Sequence, residues 1–470
     1  MSLTKSAQTR ATPLVVVMFL AIAAFQVAAT MIFPALPTVA ADLGASQSDL
    51  SLSQSLFFAV GGVAAASLPL SDRVGRRTML LAVIILGVVG SVLIATTSML
   101  PLYNLGRWMQ APGVIALPLS FLILRDHVAE DRYSVILGWL SALNLGATGI
   151  DGIVGGWVTD NIGYNGIFWI SAVVGVLALV GVLLVIPLGN PKRADSFDWP
   201  GLVILAIAML CISIGLGQAG SEGWTSPSTL GLLIGGLALL AVFILIERAI
   251  MHPIIEVRHL ANRHVFTVPI VVLFGLAGFF SVFSILAPFW LQLPSEAGGG
   301  GLSATTYALF TVPGTIVSFF LAPLCGVIAR RTGWRPVLLI GVAISLFALI
   351  GMTVSLRSTI ATLIFFGLLA AVFGGAAVTA ANGLGVLRSP RESPAFLPGI
   401  NAIMFSFGSS LGSALVGSLI AKPTLESFVS AFAVAAALML IALAFVFLMP
   451  RRNDSGDANT TTNATAGAAS

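Results

Sequence analysis

The sequence predicts an all-α membrane protein with fourteen transmembrane helices. Three observations carry that prediction. Hydrophobic residues make up 57% of the 470 positions and charged residues 9%, with mean hydropathy +1.04, whereas a soluble domain is about 25% charged. The apolar residues gather into runs of about the 20 residues that a bilayer requires. The Lys and Arg residues cluster in every second loop between those runs.

The runs lie at 13–36, 53–70, 79–99, 102–124, 134–158, 166–187, 199–218, 228–247, 265–291, 304–328, 336–355, 359–385, 397–420 and 428–449. Span one is too long for a cleavable signal peptide and leads into further apolar sequence. Span two is the shortest. Span four carries Arg107, and span five is glycine-rich and carries Asp151. Spans seven and eight follow a basic loop containing Lys192 and Arg193. Span nine holds Phe279, Phe280, Phe283 and Trp290. Span twelve has Gly374, Gly375, Ala376 and Ala377, which allow close helix packing, and also Asn382. Span thirteen has Asn401, Met404 and Phe405. The two asparagines are expected to bond between helices. Residues 453–470 are rich in Asn, Thr, Ala and Gly and are expected to be disordered.

Fourteen spans place both termini on one side of the membrane. That side collects nineteen of the 22 Lys and Arg residues; only Arg357 and Lys422 fall opposite, and Arg107 lies within a span. The bias predicts cytoplasmic termini in a plasma (inner) membrane. It also predicts that Asn453, Asn459 and Asn463, although in Asn-x-Ser/Thr triplets, face the cytosol unglycosylated. Cys211 and Cys325 sit in separate apolar runs, so a disulfide framework is not expected. The basic residues fall in short clusters between apolar runs, which argues against nucleic acid as a partner. His127, His252, His259 and His264 have no metal-ligand spacing. No glycine loop for ATP phosphates and no nucleophile–base pair is present, so neither ATP-driven transport nor an enzyme activity is predicted.

Several short motifs carry more. The loop after span two reads LPLSDRVGRRTML, with Asp72, Arg73, Arg76 and Arg77 around Gly75. Span four contains Arg107-Trp-Met-Gln110-Ala-Pro-Gly113, and span five is glycine-rich from Gly146 to Gly156. Asp198-Trp199-Pro200-Gly201 opens span seven. Ile246-Glu247-Arg248, then His252-Pro253-Ile254-Ile255, closes span eight. Together these resemble the loop signature, the arginine motif and the antiporter motif of the major facilitator superfamily, and the extra helix pair of its fourteen-helix drug–proton antiporters. The resemblance covers about residues 13–450. It implies a cytoplasmic tail at 1–12, a six-helix bundle at 13–188, and inserted helices seven and eight with their loop at 189–264. A second bundle at 265–450 and a tail at 451–470 complete the implied order. It further implies a monomer, with alternating access by rocking of the bundles around a central site, and Asp72, Arg73, Gly75, Arg76 and Arg77 as a conformational-switch loop.

The sequence departs from that family pattern in three places. Ala28 stands where many members carry an aspartate in span one. In span five, Gly152 replaces the antiporter proline, and Asp151 replaces the preceding glycine. Asp151 is therefore the one carboxylate well inside a span. An ionised group there costs about 2.5–3.5 kcal/mol on insertion scales and marks a functional-site hypothesis.

Arg107 is the expected partner of Asp151. At 1.5 Å per residue, Arg107 lies ~8 Å and Asp151 ~10 Å from the same membrane face. Tyr103, Arg107 and Gln110 share one helical face, as do Asn144, Thr148, Asp151 and Gly155. Gln26 and Thr30 form a further polar pair on span one. We read Asp151 as the proton carrier and Arg107 as its switching partner, with a permanent ion pair as the alternative. The candidate substrate-binding residues are Gln26, Thr30, Tyr103, Gln110, Asn144, Thr148, Phe283, Trp290, Asn401 and Phe405.

The expectation is a proton-coupled exporter of hydrophobic or amphipathic small molecules. The proton gradient is its energy source, no cofactor is needed, and small-molecule substrate, protons and lipid are its partners. A cavity poor in carboxylates and holding Arg107 disfavours dications. A proton-coupled importer or specific metabolite permease is the first alternative, and a membrane receptor that does not transport is the second.

Overall fold

In lipid each backbone polar group needs a partner within the chain, so long apolar runs fold as helices. The computed structural model describes residues 3–128, 136, 140, 151–187, 197–250, 253–390 and 396–450, with side chains from 12 onward. Among them thirteen helices are long and apolar enough to cross a membrane, and no strand occurs. A further helix at 151–161 covers the end of predicted span five; the rest of that span, and the tail 451–470, lie outside the described residues.

Loop chemistry sets many helix starts. Ser46 and Asp49 form a reciprocal capping box that begins span two at Gln47. The observed helix, Gln47–Ala66, thus starts six residues before the predicted run. The polar stretch Ser51–Ser55 hid this in the hydropathy pattern, because those side chains are buried against other helices instead of lipid. Asp198, Ser226, Asn262, Ser303, Ser358 and Thr424 cap later spans.

Several spans are broken, each near a proline or a glycine pair. Span one is helical over Leu3–Ala29, turns at Thr30–Ile32, tightens over Phe33–Ala35 and resumes over Leu36–Asp42. Pro34 cannot donate to the Thr30 carbonyl and its ring crowds it, so the α-helix stops there. Span four narrows at Ala111–Ile115, next to Pro112. Span nine widens into a π segment at Ser281–Leu286 before Pro288, and span twelve at Phe373–Val378 around Gly374 and Gly375.

Spans one, three, four and six pack together, and spans nine to fourteen form a second group. Span two packs along span thirteen, which joins the two groups. Ser55 Oγ donates to the Ser410 carbonyl at 2.9 Å there, and Gly62 accommodates the Phe407 ring. Spans seven and eight pack on each other, and span seven also lies against spans two and thirteen, with Ser213 and Ser410 hydroxyls 2.9 Å apart. Cys211 and Cys325 are free thiols.

Candidate functional site

The break in span one organises the site. Its last helical turn ends in the carbonyls of Gln26 and Ala28, and the guanidinium of Arg107 reaches the Ala28 carbonyl from span four. Arg107 is fully buried. Its Nη1 donates to Ala28 O at 2.5 Å and to Gln110 Oε1 at 3.0 Å, and its Nη2 donates to Gln54 Oε1 at 3.1 Å. The guanidinium carbon lies 4.2 Å over the ring of Phe57, a cation–π contact. Gln110 Nε2 donates onward to Ser91 at 2.8 Å, and Ser91 donates to Ser171 at 3.1 Å. Planar, multiply bonded arginine suits such a site, because each buried oxygen receives its own donor.

Asp151 approaches the same break from span five. It is 8% exposed, and its Oδ2 is hydrogen-bonded to Thr30 Oγ1. Thr30 Oγ1 also lies 3.0 Å from Gln26 O. Asp151 Oδ1 has no partner among the described residues. One turn further on, Gly155 lets the backbone of span five press onto the Met31 carbonyl.

The expected Arg107–Asp151 ion pair is therefore not formed. Both residues hold the span-one break, but at different atoms. The physical reason is the break itself. Unwinding at Thr30–Ile32 puts a helix C-terminal carbonyl in reach of the arginine and a free hydroxyl in reach of the aspartate. Helical-wheel geometry on spans four and five could not show that the intervening span would supply better partners.

Other candidates fall in three places. Tyr103 and Gln110 are buried beside Arg107, and Gln26 supplies the carbonyl that faces Thr30. Phe283 and Phe405 belong to an aromatic seam between the helix groups. Phe283 meets Phe33 of span one, with ring centroids 5.8 Å apart, and Phe280 meets Phe58 at 5.4 Å and Phe405 at 5.1 Å. Trp290 and Asn401 lie away from that seam. Trp290 is 1% exposed, packs on Phe428 and donates to Leu356 O at 3.2 Å, so its amphipathic ring serves the second group's core. Asn401 donates to Ala381 O at 3.4 Å, joining spans twelve and thirteen, whereas Asn382 is exposed. Asn144 and Thr148 lie outside the described residues.

The loop around Gly75 spends its charges within the first helix group. Gly75 has φ +91°, which glycine tolerates. Arg76 pairs with Asp72 at 3.1 Å and with Asp126, and donates to Leu122 O at 3.0 Å; Arg77 donates to Leu183 O at 3.0 Å. Arg73 is half-buried at the turn.

The side opposite the basic loops is closed between the groups. Asp160, at the end of span five, accepts from Thr305 N at 2.9 Å, Thr305 Oγ1 at 2.6 Å and Ala304 N at 3.3 Å, at the start of span ten. Gln292 Nε2 donates to Pro34 O at 3.0 Å. Sequence reasoning missed Gln54, Phe57 and Asp160. The signal for Gln54 was present, as a glutamine within a serine-rich stretch of a spanning helix.

Residues 18–356 and 293–469 match the model of the Major Facilitator Superfamily. The chain belongs to the Major Facilitator Superfamily. It is similar to the uridine/deoxyuridine transporter of Lactococcus lactis subsp. cremoris, with 30% identity over 413 residues and 85% of each chain. It is also similar to the tetracenomycin C resistance and export protein of Streptomyces glaucescens, with 26% identity over 84% of this chain and 73% of that protein. Multidrug resistance protein 3 of Bacillus subtilis is 25% identical over 67% of this chain and 60% of its own length. Among solved structures, a peptide transporter of the POT family in complex with sulfate superposes with TM-score 0.67 at 15% identity, over 93% of this chain and 94% of that one. The protein is thus a multi-pass membrane transporter of this superfamily.

Proposed function

We propose that this transporter is driven by protons and exports uncharged amphipathic small molecules, with Asp151 as the proton carrier. The observation that carries this reading is a buried carboxyl group in a spanning helix whose described partner is a neutral hydroxyl, not a cation. A carboxyl group so placed changes its interactions most when it gains or loses a proton. Arg107 then serves to anchor the end of the first helical segment, rather than to neutralise Asp151. The bundles at 13–188 and 265–450 rock about the span two–thirteen contact, with the inserted pair beside it. Both termini face the cytoplasm, on the basic side. The phenylalanine seam offers substrates an aromatic surface, and the two export and resistance relatives support efflux.

A second reading is favoured by one observation. The relative that matches over 85% of both chains carries a name for nucleoside transport. Proton-coupled movement of an uncharged nucleoside would use the same carboxyl group and an aromatic ring to stack upon. Proteoliposomes with an imposed pH gradient test both. Net accumulation against the gradient should be lost, by about tenfold or more, in Asp151→Asn, the ordinary size of a removed coupling. Substrate exchange without a gradient should persist. Direction of flux, with uridine and a polycyclic aromatic compound compared, separates export from nucleoside uptake.

A further inference from the structure

Thr30 Oγ1 touches two oxygens at once, the carbonyl of Gln26 at 3.0 Å and Oδ2 of Asp151. A hydroxyl has one hydrogen to donate and two lone pairs to accept with. Gln26 O can only accept. If Asp151 were ionised, both neighbours would compete for the single hydrogen, and one oxygen–oxygen contact would be repulsive. Both contacts are hydrogen bonds when Asp151 carries a proton on Oδ2. The acid then donates to Thr30, and Thr30 donates to Gln26 O.

The position of Thr30 gives that proton count a mechanical meaning. It is the first residue after the helical segment Leu3–Ala29, at the start of the break that Pro34 imposes. Beyond the break, Phe33 meets Phe283 and Pro34 O accepts from Gln292, both across the seam on the far side from the basic loops. Among the described residues the neighbours of Asp151 offer no competing cation, and Asp160, further along the same helix, is held by Thr305 and Ala304. Span one carries no charged residue between Thr12 and Ala41, Arg107 of span four is committed to Ala28, Gln110 and Gln54, and the Ser303–Thr306 end of span ten is uncharged.

We propose that Thr30 is the positioning residue that reads the proton on Asp151 and passes it to the far-side half of span one. The inference rests on Asp151 as the proton carrier. The protonated acid completes the chain Asp151–Thr30–Gln26 and keeps the break, and with it the far-side seal, in the arrangement seen. When the proton leaves, the Thr30 hydrogen turns from Gln26 O to the carboxylate, the break loses its lock, and the seal opens. In an exporter or a symporter this sign lets a proton taken from the far side close that side behind it.

Spin labels at Ala41→Cys and Ala297→Cys, both exposed ends of the two helix groups on the far side, report the seal by electron–electron distance. Cys211→Ala and Cys325→Ala remove the native thiols. In the parent protein the short-distance population should grow as pH falls. Asp151→Asn, neutral and still a donor, should hold the short distance at all pH values. Thr30→Val, close in shape but without the hydroxyl, should lose the pH response although Asp151 is intact, and Thr30→Ser should restore it. In transport, Thr30→Val should lower gradient-driven accumulation about tenfold, and Thr30→Ser should restore it. An unchanged pH response in Thr30→Val, with Asp151→Asn insensitive, overturns the role of Thr30 alone. A persistent pH response in Asp151→Asn overturns the carrier reading and this inference together.

Discussion

Arg107 shows how a buried charge is made tolerable with no counter-ion among the described residues. Its donors go to one backbone carbonyl and two amide oxygens, and its face lies on Phe57. Removing it leaves three buried acceptors short of a donor, at about 1–3 kcal/mol each for a group left unsatisfied. Arg107→Ala should therefore lower the thermal midpoint of the purified protein, and Arg107→Lys should recover only part of it, because an ammonium lacks the planar fork. Differential scanning fluorimetry in detergent checks this. A midpoint for Arg107→Ala equal to the parent's would mean that the cluster is not structural. The sequence made Arg107 and Asp151 visible separately, since charges within apolar runs stand out. Their partners were hidden, because Thr30 and the Ala28 carbonyl matter only once Pro34 has opened span one between them.

Among elements, the meeting of spans five and ten carries the clearest consequences. A Cβ on Gly156 would lie 2.6 Å from the Ala304 carbonyl oxygen, so Gly156→Val should hold the far side open. Thiol labelling of a cysteine placed behind the seal should then rise, and unchanged protection would contradict this. Asp160 supplies acceptors to the first turn of span ten, where a carboxylate is also favoured by the helix dipole. Burial alone would raise its carboxyl group. The hydroxyl and N–H of Thr305, the Ser303 hydroxyl and the Ala304 N–H outweigh that and hold it below the usual carboxylate range. A lowered value in the sealed state means that the contact contributes fully above the ordinary Asp value of about 4. It is lost as pH falls through the lowered value. Asp160→Ala should weaken the seal by about 1 kcal/mol, the ordinary worth of a helix cap, and should abolish any loosening of the seal seen in strong acid. The element order was legible in the apolar runs. The start of span two was not, because that helix packs against spans four, seven and thirteen, and its buried serines and Gln54 read as polar in isolation. The breaks in spans nine and twelve were equally hidden, since hydropathy does not register a π turn.

At the scale of the molecule, thirteen described membrane-length helices and the superfamily match agree with the predicted architecture. Composition and the alternation of arginine clusters were enough for that. The conformational state was beyond them, since it depends on contacts between helix groups far apart in sequence, such as Asp160 with Thr305 and Gln292 with Pro34. A seam of phenylalanines gives a dication little to bind. Transport of a bis-quaternary ammonium compound by proteoliposomes should stay at the protein-free background, and robust flux would contradict the proposed charge preference.

The most direct test is gradient-driven accumulation of a transported substrate in proteoliposomes, parent against Asp151→Asn, across a range of imposed pH differences. Proton coupling through Asp151 predicts accumulation that climbs with the gradient in the parent and stays flat in the variant, with exchange preserved in both. Accumulation in Asp151→Asn that follows the gradient as the parent does would contradict it.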